Sequence, residues 1–328
     1  MTSHLLTLYT RTPLHVGCGT SVDVVDLPIM RERITNFPVI PSTSLKGVLR
    51  EASRQHFGET NAAITRNLFG EDRKLKDDDG NGGSVTAFAG CLQIMEAKLL
   101  AFPVRSLGGC FAWLTCPAAL HRFQRDTEST FNIPEVKKDE VIVASDSELI
   151  ISGQKVVLEE YSLTSNSADP AHAEVAKALG ALLDDPLWTS KLPRRLAVLH
   201  DEDFQHFVTT CTEVVARIAI EADTRVVKKG GLFNQENVPC EALFYSTLRV
   251  LQPRRKDESD PANQLTELLR ANPTLQIGGD ETTGHGFCAA RIVPMDACSH
   301  DHFRKDPRLT VTFHQDPSLP VSDIQTLR

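Results

Sequence analysis

The sequence lacks the features that mark secreted, zinc-binding and membrane-spanning proteins. Its eight cysteines include no CxxC pair, so neither a disulfide framework nor a zinc ribbon is indicated, and reduced thiols in the cytoplasm are expected. Apolar stretches such as CFAWL at 110–114 are far shorter than the roughly 20 residues that cross a membrane. No basic stretch followed by a long apolar one opens the chain, so no signal peptide and no membrane partner are expected.

The chain also lacks an excess of positive charge. It has 35 Lys and Arg against 43 Asp and Glu, a net charge of −8. A protein that is basic over its whole surface is therefore excluded, whereas nucleic-acid binding stays open because it depends on where positive charge is clustered. The content of 41% hydrophobic and 24% charged residues excludes a largely disordered chain. The 328 residues predict one domain with large insertions or two fused lobes.

The order of predicted elements favours an α+β fold. Strand-like and helix-like segments alternate irregularly, with hairpins inserted, which is typical of split βαβ units. A helix is predicted from about Ser42 to Phe57, with Ser42 or Thr43 capping its first turn. Two alternating runs around EADT within 213–231 predict a β-hairpin. The polar segment 71–83 predicts a mobile insertion, and the tail 295–328 shows little periodicity.

A basic stripe lies on the predicted helix. Lys46, Arg50 and Arg54 follow each other at intervals of four residues, which is a rise of about 6 Å per step. That spacing is close to the phosphate spacing of an extended nucleic-acid strand and favours binding of its backbone. The alternative is a solvated helix face without a ligand.

A glycine-rich segment, IGGDETTGHGF, lies near the C-terminus. Its glycines are Gly278, Gly279, Gly284 and Gly286. A dinucleotide-binding fingerprint is excluded because the segment leads into a strand-like run, where that fingerprint requires a helix. Two interpretations stay open, a cradle for a phosphate backbone and a plain hairpin turn.

Asp26 and His15 are candidate catalytic residues in the long loop after the first strand. Asp26 lies between two apolar residues, and an acid held by such neighbours needs a partner if it is buried. It could bind a divalent cation or accept a proton, or it could pair with Arg31 or Arg33 for structural reasons. His15 is a candidate general base, and a packed structural histidine is the alternative.

Four stretches together resemble the RAMP superfamily of CRISPR proteins. They are LHVGCGTSVDVVDLPIMRERITNFPVIPSTSLKGVLR, LLAFPVRSLGGCFAWLTCPAALHRF, TEVVARIAIEADTRVVKKGGLFNQE and IGGDETTGHGF. The SLKG helix and the glycine loop are shared across the superfamily, whereas VDLPIMRER with FPVRSLGGCFAW is similar to one subunit in particular. That subunit is the target-cleaving backbone subunit of the type III-B (Cmr) effector complex, and the resemblance covers about residues 5–293.

The resemblance implies an architecture and a set of partners. We expect a modified ferredoxin-like (RRM-type) palm over residues 1–294, with an inserted helical region and a β-hairpin thumb at about 213–240, followed by an extension, 295–328, of unknown role. The implied partners are guide CRISPR RNA, target RNA, further copies of the chain in a helical filament and the other subunits of the effector complex.

The resemblance also implies a site. The family's cleaving carboxylate corresponds to Asp26, which would act with a divalent cation (Mg²⁺ or Mn²⁺) while the target's own 2′-hydroxyl attacks and leaves a cyclic phosphate. His15, Glu241 and Tyr245 would be its neighbours, and Ser44 of the SLKG motif would contact guide RNA. The alternatives are a scaffold of the same superfamily that does not cleave and an endonuclease that processes guide precursor without metal.

Overall fold

The structure, a computed structural model, describes residues 2–19, 25–71, 88–167, 169–253 and 260–295. The predicted insertion, apart from Glu71, and the extension beyond Met295 lie outside the described residues. Within the described ranges, no helix is long and apolar enough to cross a membrane.

Strands and helices are mixed along the chain, as the sequence predicts. The strands are β1 (Thr2–Thr10), β2 (Val39–Ile40), β3 (Leu92–Ile94), β4 (Ala97–Arg105), β5 (Phe111–Thr115), β6 (Glu140–Ile142), β7 (Ile150–Ile151), β8 (Lys155–Leu158), β9 (Tyr161–Asn166), β10 (Leu196–Leu199), β11 (Glu213–Ile220), β12 (Val227–Asn237), β13 (Leu243–Val250), β14 (Thr274–Gln276) and β15 (Phe287–Pro294). The α-helices are α1 (Ser42–Phe57), α2 (Ala62–Phe69), α3 (Pro117–Thr127), α4 (Ala171–Gly180), α5 (Pro186–Arg195), α6 (Asp201–Thr210) and α7 (Pro261–Ala271).

One large sheet organises the body. Its strand order is β14-β15-β1-β13-β4-β5-β10-β6-β9-β8-β7, while β2 pairs with β4 and β3 pairs with β13. The central strands β15, β1, β13 and β4 are antiparallel to their neighbours, whereas β10–β5 and β6–β9 are parallel pairs. The expectation of a mixed α+β fold is confirmed.

Both faces of β1 are covered by helices. Leu6 and Leu8 belong to a core that includes residues of α1, α2 and α7, and Leu5 and Tyr9 belong to a second core with residues of α3, α4 and α5. Adjacent residues of a strand point to opposite faces of the sheet. A strand buried on both faces needs apolar residues at successive positions, which explains the run LLTLYT.

The first long helix has the predicted bounds but not the predicted cap. Leu45 and Leu49 are fully buried, as the apolar stripe requires. The prediction that Ser42 or Thr43 caps the helix is wrong, because Pro41 is the N-cap residue and no side chain makes a cap hydrogen bond. Proline fixes its own φ, here −58°, so it sets the direction of the chain entering the helix without a hydroxyl cap.

A two-stranded hairpin is present at the predicted position and forms its own sheet. β11 and β12 pair antiparallel from Glu213 opposite Asn237 to Ile220 opposite Val227. The residues around the turn, 221–230, are all exposed, whereas Gln235 and Asn237 at the end of β12 are buried. The hairpin therefore projects from the body and is anchored at its base.

Candidate nucleic-acid interface and catalytic loop

Asp26 lies at the base of the hairpin, on the surface. The backbone of the loop runs beside β12, since the N–H of Leu27 donates to the carbonyl of Asn234 (3.0 Å) and the N–H of Glu236 donates to the carbonyl of Leu27 (3.0 Å). The carboxylate of Asp26 accepts the N–H of Asn234 at 2.8 Å, and the residue is exposed. This arrangement holds a carboxylate in a fixed place while leaving it accessible.

Asp26 is not held by an arginine. Within the described residues it makes no ion pair, and Arg31, one of the two structural partners considered from the sequence, pairs with Glu236 at 2.5 Å. The described part of the chain therefore contains no Asp26–Arg31 ion pair. A carboxylate at the surface with one backbone donor is free to meet a ligand.

Glu236 is a structurally important residue that the sequence analysis missed. Its Oε1 atom accepts hydrogen bonds from Arg31 and from the hydroxyl of Thr212 (2.8 Å), and its Oε2 atom accepts the N–H of Ile29 (3.0 Å). A buried carboxylate requires such partners. The signal in the sequence that could have identified Glu236 is its place in the run NQENV, where an acid lies close to the apolar Val238, which is buried at the hairpin base.

His15 is brought to the same strand. Its Nδ1 atom lies 2.6 Å from the carbonyl oxygen of Glu236. Because a carbonyl oxygen only accepts, Nδ1 carries the proton in this contact, which leaves Nε2 as the acceptor in the neutral form of the ring. The ring packs on Gly17, where an added Cβ would lie 2.8 Å from Nε2. Asp26 and His15 therefore contact the backbone of β12 two residues apart.

Glu241 and Tyr245 are not linked to Asp26 by any contact within the described residues. The carboxylate of Glu241 accepts the hydroxyl of Tyr9, and its carbonyl accepts the indole N–H of Trp113 (3.0 Å). The hydroxyl of Tyr245 donates to Asp126 (3.0 Å), and burial raises the pKa of Tyr245. Both side chains are hydrogen-bonded within the body, and their part in cleavage stays a prediction.

The four loop glycines divide into two pairs. A Cβ at Gly278 would lie 2.1 Å from the carbonyl oxygen of His15, and a Cβ at Gly286 would lie 2.0 Å from another backbone carbonyl oxygen. These two glycines are required by close packing of the backbone. A Cβ at Gly284 would meet no atom within 4 Å, and a Cβ at Gly279 would meet only the His15 ring at 3.8 Å. The second pair leaves open space in which a nucleic-acid backbone could approach.

The basic stripe on α1 is less uniform than predicted. Arg54 is exposed and pairs with Glu51 at 3.4 Å, whereas Arg50 is half-buried and donates to the carbonyl of Phe69 at 2.9 Å. Lys46 is half-buried and makes no ion pair within the described part of the chain, and Ser44 is half-buried in the first turn. Lys46 is therefore the best candidate of the three basic residues for an RNA phosphate.

The described residues alone do not form a metal cage. Among the described residues, no group of three or more His, Cys, Asp and Glu side chains could hold a metal ion. Asp26 offers one carboxylate, and Mg²⁺ is commonly bound by one or two carboxylates together with substrate phosphates. The donor set therefore fits a divalent cation only where RNA completes the coordination.

Comparison with known families decides the relationship. The family model of the RAMP superfamily matches residues 7–289. The chain belongs to the RAMP superfamily. It is 39% identical over 295 residues to the CRISPR system Cmr endoribonuclease Cmr4 of Pyrococcus furiosus, covering 88% of this chain and 94% of that protein. It is 26% identical to the CRISPR system CMR subunit Cmr4 of Saccharolobus solfataricus, covering 85% of this chain and 93% of that protein.

Two solved structures are similar to about nine-tenths of the chain. Oligomeric Cmr4 from Pyrococcus furiosus superposes with a TM-score of 0.67 at 31% identity and covers 90% of this chain and 98% of that one. A chain of the type III-B Cmr-beta complex bound to cognate target RNA has a TM-score of 0.67 at 21% identity, covering 91% and 99%. The second likeness shows the fold alone, and the first confirms the resemblance to Cmr proteins that the sequence motifs indicated.

Proposed function

We propose that this chain is a backbone subunit of a type III-B CRISPR effector complex that binds guide CRISPR RNA and cleaves target RNA. The 39% identity to a protein named an endoribonuclease supports this function. The structural observation that carries it is the exposed carboxylate of Asp26, held by the N–H of Asn234 at the base of a projecting hairpin. A scaffold without cleavage would not require a fixed and accessible acid at that place.

The proposed reaction is attack by the target's 2′-oxygen on the adjacent phosphorus. The O2′–P bond forms as the P–O5′ bond breaks, so that one product carries a 2′,3′-cyclic phosphate, and the departing 5′-oxygen takes a proton from solvent and becomes a 5′-hydroxyl. Asp26 accepts the hydrogen bond or the proton of that hydroxyl, a contribution that is typically about 10²- to 10⁴-fold in rate. The hairpin displaces a nucleotide so that the 2′-oxygen comes into line with the bond that breaks. His15, with Nε2 as an acceptor, is the second candidate for contact with the reacting ribose.

A divalent cation, Mg²⁺ or Mn²⁺, is proposed as the cofactor, with Asp26 as its one protein ligand among the described residues. When bound, such a cation stabilises the negative charge that develops on the phosphate. The role of this chain is to orient the carboxylate through Asn234.

A ferredoxin-like palm is proposed for the central part of the sheet. The order β15-β1-β13-β4, antiparallel throughout, supports it, as do α1 between β1 and β4 and α7 between β13 and β15. In many RRM proteins the open face of the sheet stacks on RNA bases, whereas here that face is covered by α3, α4 and α5. RNA is therefore expected to follow the loops and the hairpin.

Self-association along the guide is proposed as well. The related structure of oligomeric Cmr4 supports it, and the net charge of −8 requires positive potential to be concentrated where RNA runs. Guide RNA, target RNA, further copies of the chain and other effector subunits are the proposed partners.

The decisive experiment replaces Asp26 by asparagine in the assembled complex. Asp26→Asn is expected to lower the single-turnover rate of target cleavage by at least about 100-fold, because the amide that replaces the carboxylate does not accept a proton. Guide binding and assembly are expected to stay unchanged. Cleavage of labelled target RNA is followed on gels, and Asp184→Asn, at an exposed aspartate outside the hairpin, is the matched control.

Three outcomes would contradict the proposal in different ways. Undiminished cleavage by Asp26→Asn would remove the catalytic assignment. A wild-type complex that binds guide RNA and does not cut target RNA would show that the chain is a scaffold that does not cleave. Cutting of guide precursor that persists in EDTA would indicate the repeat-processing endonuclease.

A further inference from the structure

A polar network joins the inner face of the hairpin to the glycine loop. The carboxylate of Asp280 accepts the side-chain amide of Gln235 at 2.6 Å and lies 3.3 Å from the guanidinium of Arg217. The same guanidinium donates to Nε2 of His285 at 3.0 Å. Arg217 comes from β11 and Gln235 from β12, so Asp280 contacts both strands of the hairpin.

The side chains of the network are largely shielded from solvent. Gln235 is 2% exposed, and the side chains of Arg217 and Asp280 are 21% and 33% exposed. Asp280 has a φ of 63°, in the left-handed region that is costly for residues other than glycine. Its carbonyl accepts the N–H of His285 (3.2 Å), so the loop closes on itself and holds the carboxylate towards the hairpin.

The same strand carries the hydrogen bond that fixes Asp26. Gln235, which Asp280 binds, directly follows Asn234, whose N–H donates to Asp26 at 2.8 Å. Leu27, the residue after Asp26, forms a bridge with Gln235. A movement of the base of β12 relative to the glycine loop therefore moves the Asp26 carboxylate by a similar amount.

We infer that Asp280 is a positioning residue for cleavage, which fixes the hairpin against the glycine loop and thereby places Asp26 relative to the target ribose. This inference rests on the proposed function, since it assigns Asp280 a part in the same reaction. Asp280 has no contact with Asp26 within the described residues and acts through Gln235 and the backbone of β12.

The test compares Asp280→Ala, Asp280→Asn, Arg217→Gln and the Asp280→Ala/Arg217→Gln pair in the assembled complex with guide RNA. Asp280→Ala is expected to lower the single-turnover rate constant by about 10- to 100-fold, because a displacement of about 1 Å at a reacting group has an effect of that size. Asp280→Asn keeps an acceptor for Gln235, so its rate constant is expected to fall less than that of Asp280→Ala. The fall in rate constant of the paired variant is expected to be smaller than the product of the two single effects, because both single variants break the same contact between Arg217 and Asp280.

Two readouts separate positioning from a structural role. A destabilised subunit reduces the amplitude of cleavage, which counts active complexes, whereas a displaced Asp26 reduces the rate constant of the complexes that remain. Hydrogen exchange gives a measure independent of activity, and the amide of Asn234 is expected to lose protection in Asp280→Ala. Glu202→Gln, which breaks the surface pair of Glu202 with Lys138 (2.9 Å), is the matched control.

An unchanged rate constant in Asp280→Ala, together with unchanged protection at Asn234, would overturn the inference. The failure of the proposed function is a different result, in which Asp26→Asn cleaves as fast as the wild type. Loss of amplitude alone in Asp280→Ala would also count against positioning, because it would assign Asp280 to folding of the loop.

Discussion

At the scale of single residues, two acids next to the same strand have different roles because their surroundings differ. Glu236 is buried and has three hydrogen-bond donors on its carboxylate. Asp26 is exposed, with one backbone donor. A buried carboxylate that loses its partners destabilises the fold, so Glu236 stabilises the structure, and the accessible Asp26 is the one available for chemistry.

A residue-scale prediction separates Lys46 from Arg50. Lys46→Ala is expected to weaken binding of guide RNA of any sequence alike and to lower the slope of log K against log[salt] by about 0.7, the value for one contact with single-stranded RNA. Arg50→Ala is expected to lower the free energy of unfolding by about 1 kcal/mol, because it removes a half-buried hydrogen bond from a charged donor to the carbonyl of Phe69.

Salt-dependent binding assays and urea unfolding measure the two quantities. Arg66→Ala, on α2 with an exposed side chain, is the control for general loss of positive charge. A loss restricted to particular guide sequences in Lys46→Ala would contradict contact with the backbone, and an unchanged unfolding midpoint in Arg50→Ala would contradict the structural role.

At the scale of elements, the hairpin presents an apolar face to solvent. The residues at paired positions on this face are about half exposed, from 46% to 65%, and they are Val214, Ile218, Ile220, Val227 and Leu232. A two-stranded sheet is marginally stable alone, and contiguous exposed apolar surface usually marks an interaction site. The hairpin is therefore expected to be covered in the assembled complex.

An element-scale prediction follows for the double variant Ile218→Ser/Leu232→Ser. The thermal midpoint of the isolated chain is expected to stay unchanged, because both side chains are exposed. Formation of multimers on guide RNA is expected to decrease, because apolar area that a neighbouring copy covers is lost. Sedimentation of the chain with guide RNA measures this, and Ile34→Ser, at a side chain that is 90% exposed outside the hairpin, is the control. Equal loss in both variants would show that the hairpin face is not the one covered.

Elements differ in how well the sequence predicted them. The helix α1 has an apolar stripe that begins at Leu45 and ends at Phe57, and its predicted bounds are the observed ones. The sequence does not predict the helix α5, because Pro193 lies inside it near its end and a proline within a helix interrupts the helical pattern. Pro186, at its first position, is compatible with the start of a helix. Burial of Trp188 and Leu192 in the core holds this short helix in place.

At the scale of the whole molecule, an ion cluster links the loop before β7 to α5. Glu148 accepts hydrogen bonds from Lys191 (2.9 Å) and Arg195 (2.7 Å). The bonds from Lys191 and then Arg195 lower the pKa of Glu148 from 4.5 to about 2. A carboxyl whose pKa is lowered by folding stabilises the native state above its unfolded pKa, and this contribution is lost as the pH falls towards the folded value.

The whole-molecule prediction concerns acid stability. Glu148→Gln is expected to be less stable than the wild type near neutral pH, and the difference is expected to shrink as the pH falls from 4.5 to about 2. Thermal unfolding of the isolated chain across this range measures it. Glu160→Gln, at an exposed glutamate, is the control, and a difference that stays constant with pH would contradict the assignment.

Elements whose signals are local can be predicted without the fold. Periodicity placed α1 and the hairpin, and the motifs around Asp26 and in the glycine loop pointed to a family that the comparisons confirmed. These signals depend on neighbouring residues in the chain, so they are readable without the fold.

Which side chains meet depends on the folded chain. Contacts such as Arg31 with Glu236, or Asp280 with Arg217 and Gln235, join residues about 45 to 205 positions apart, and no local pattern specifies them. The structure also separated Gly278 and Gly286, which are needed for packing, from Gly279 and Gly284, which are open. The physical reason is that burial, and with it the need of each polar atom for a partner, is a property of the folded chain.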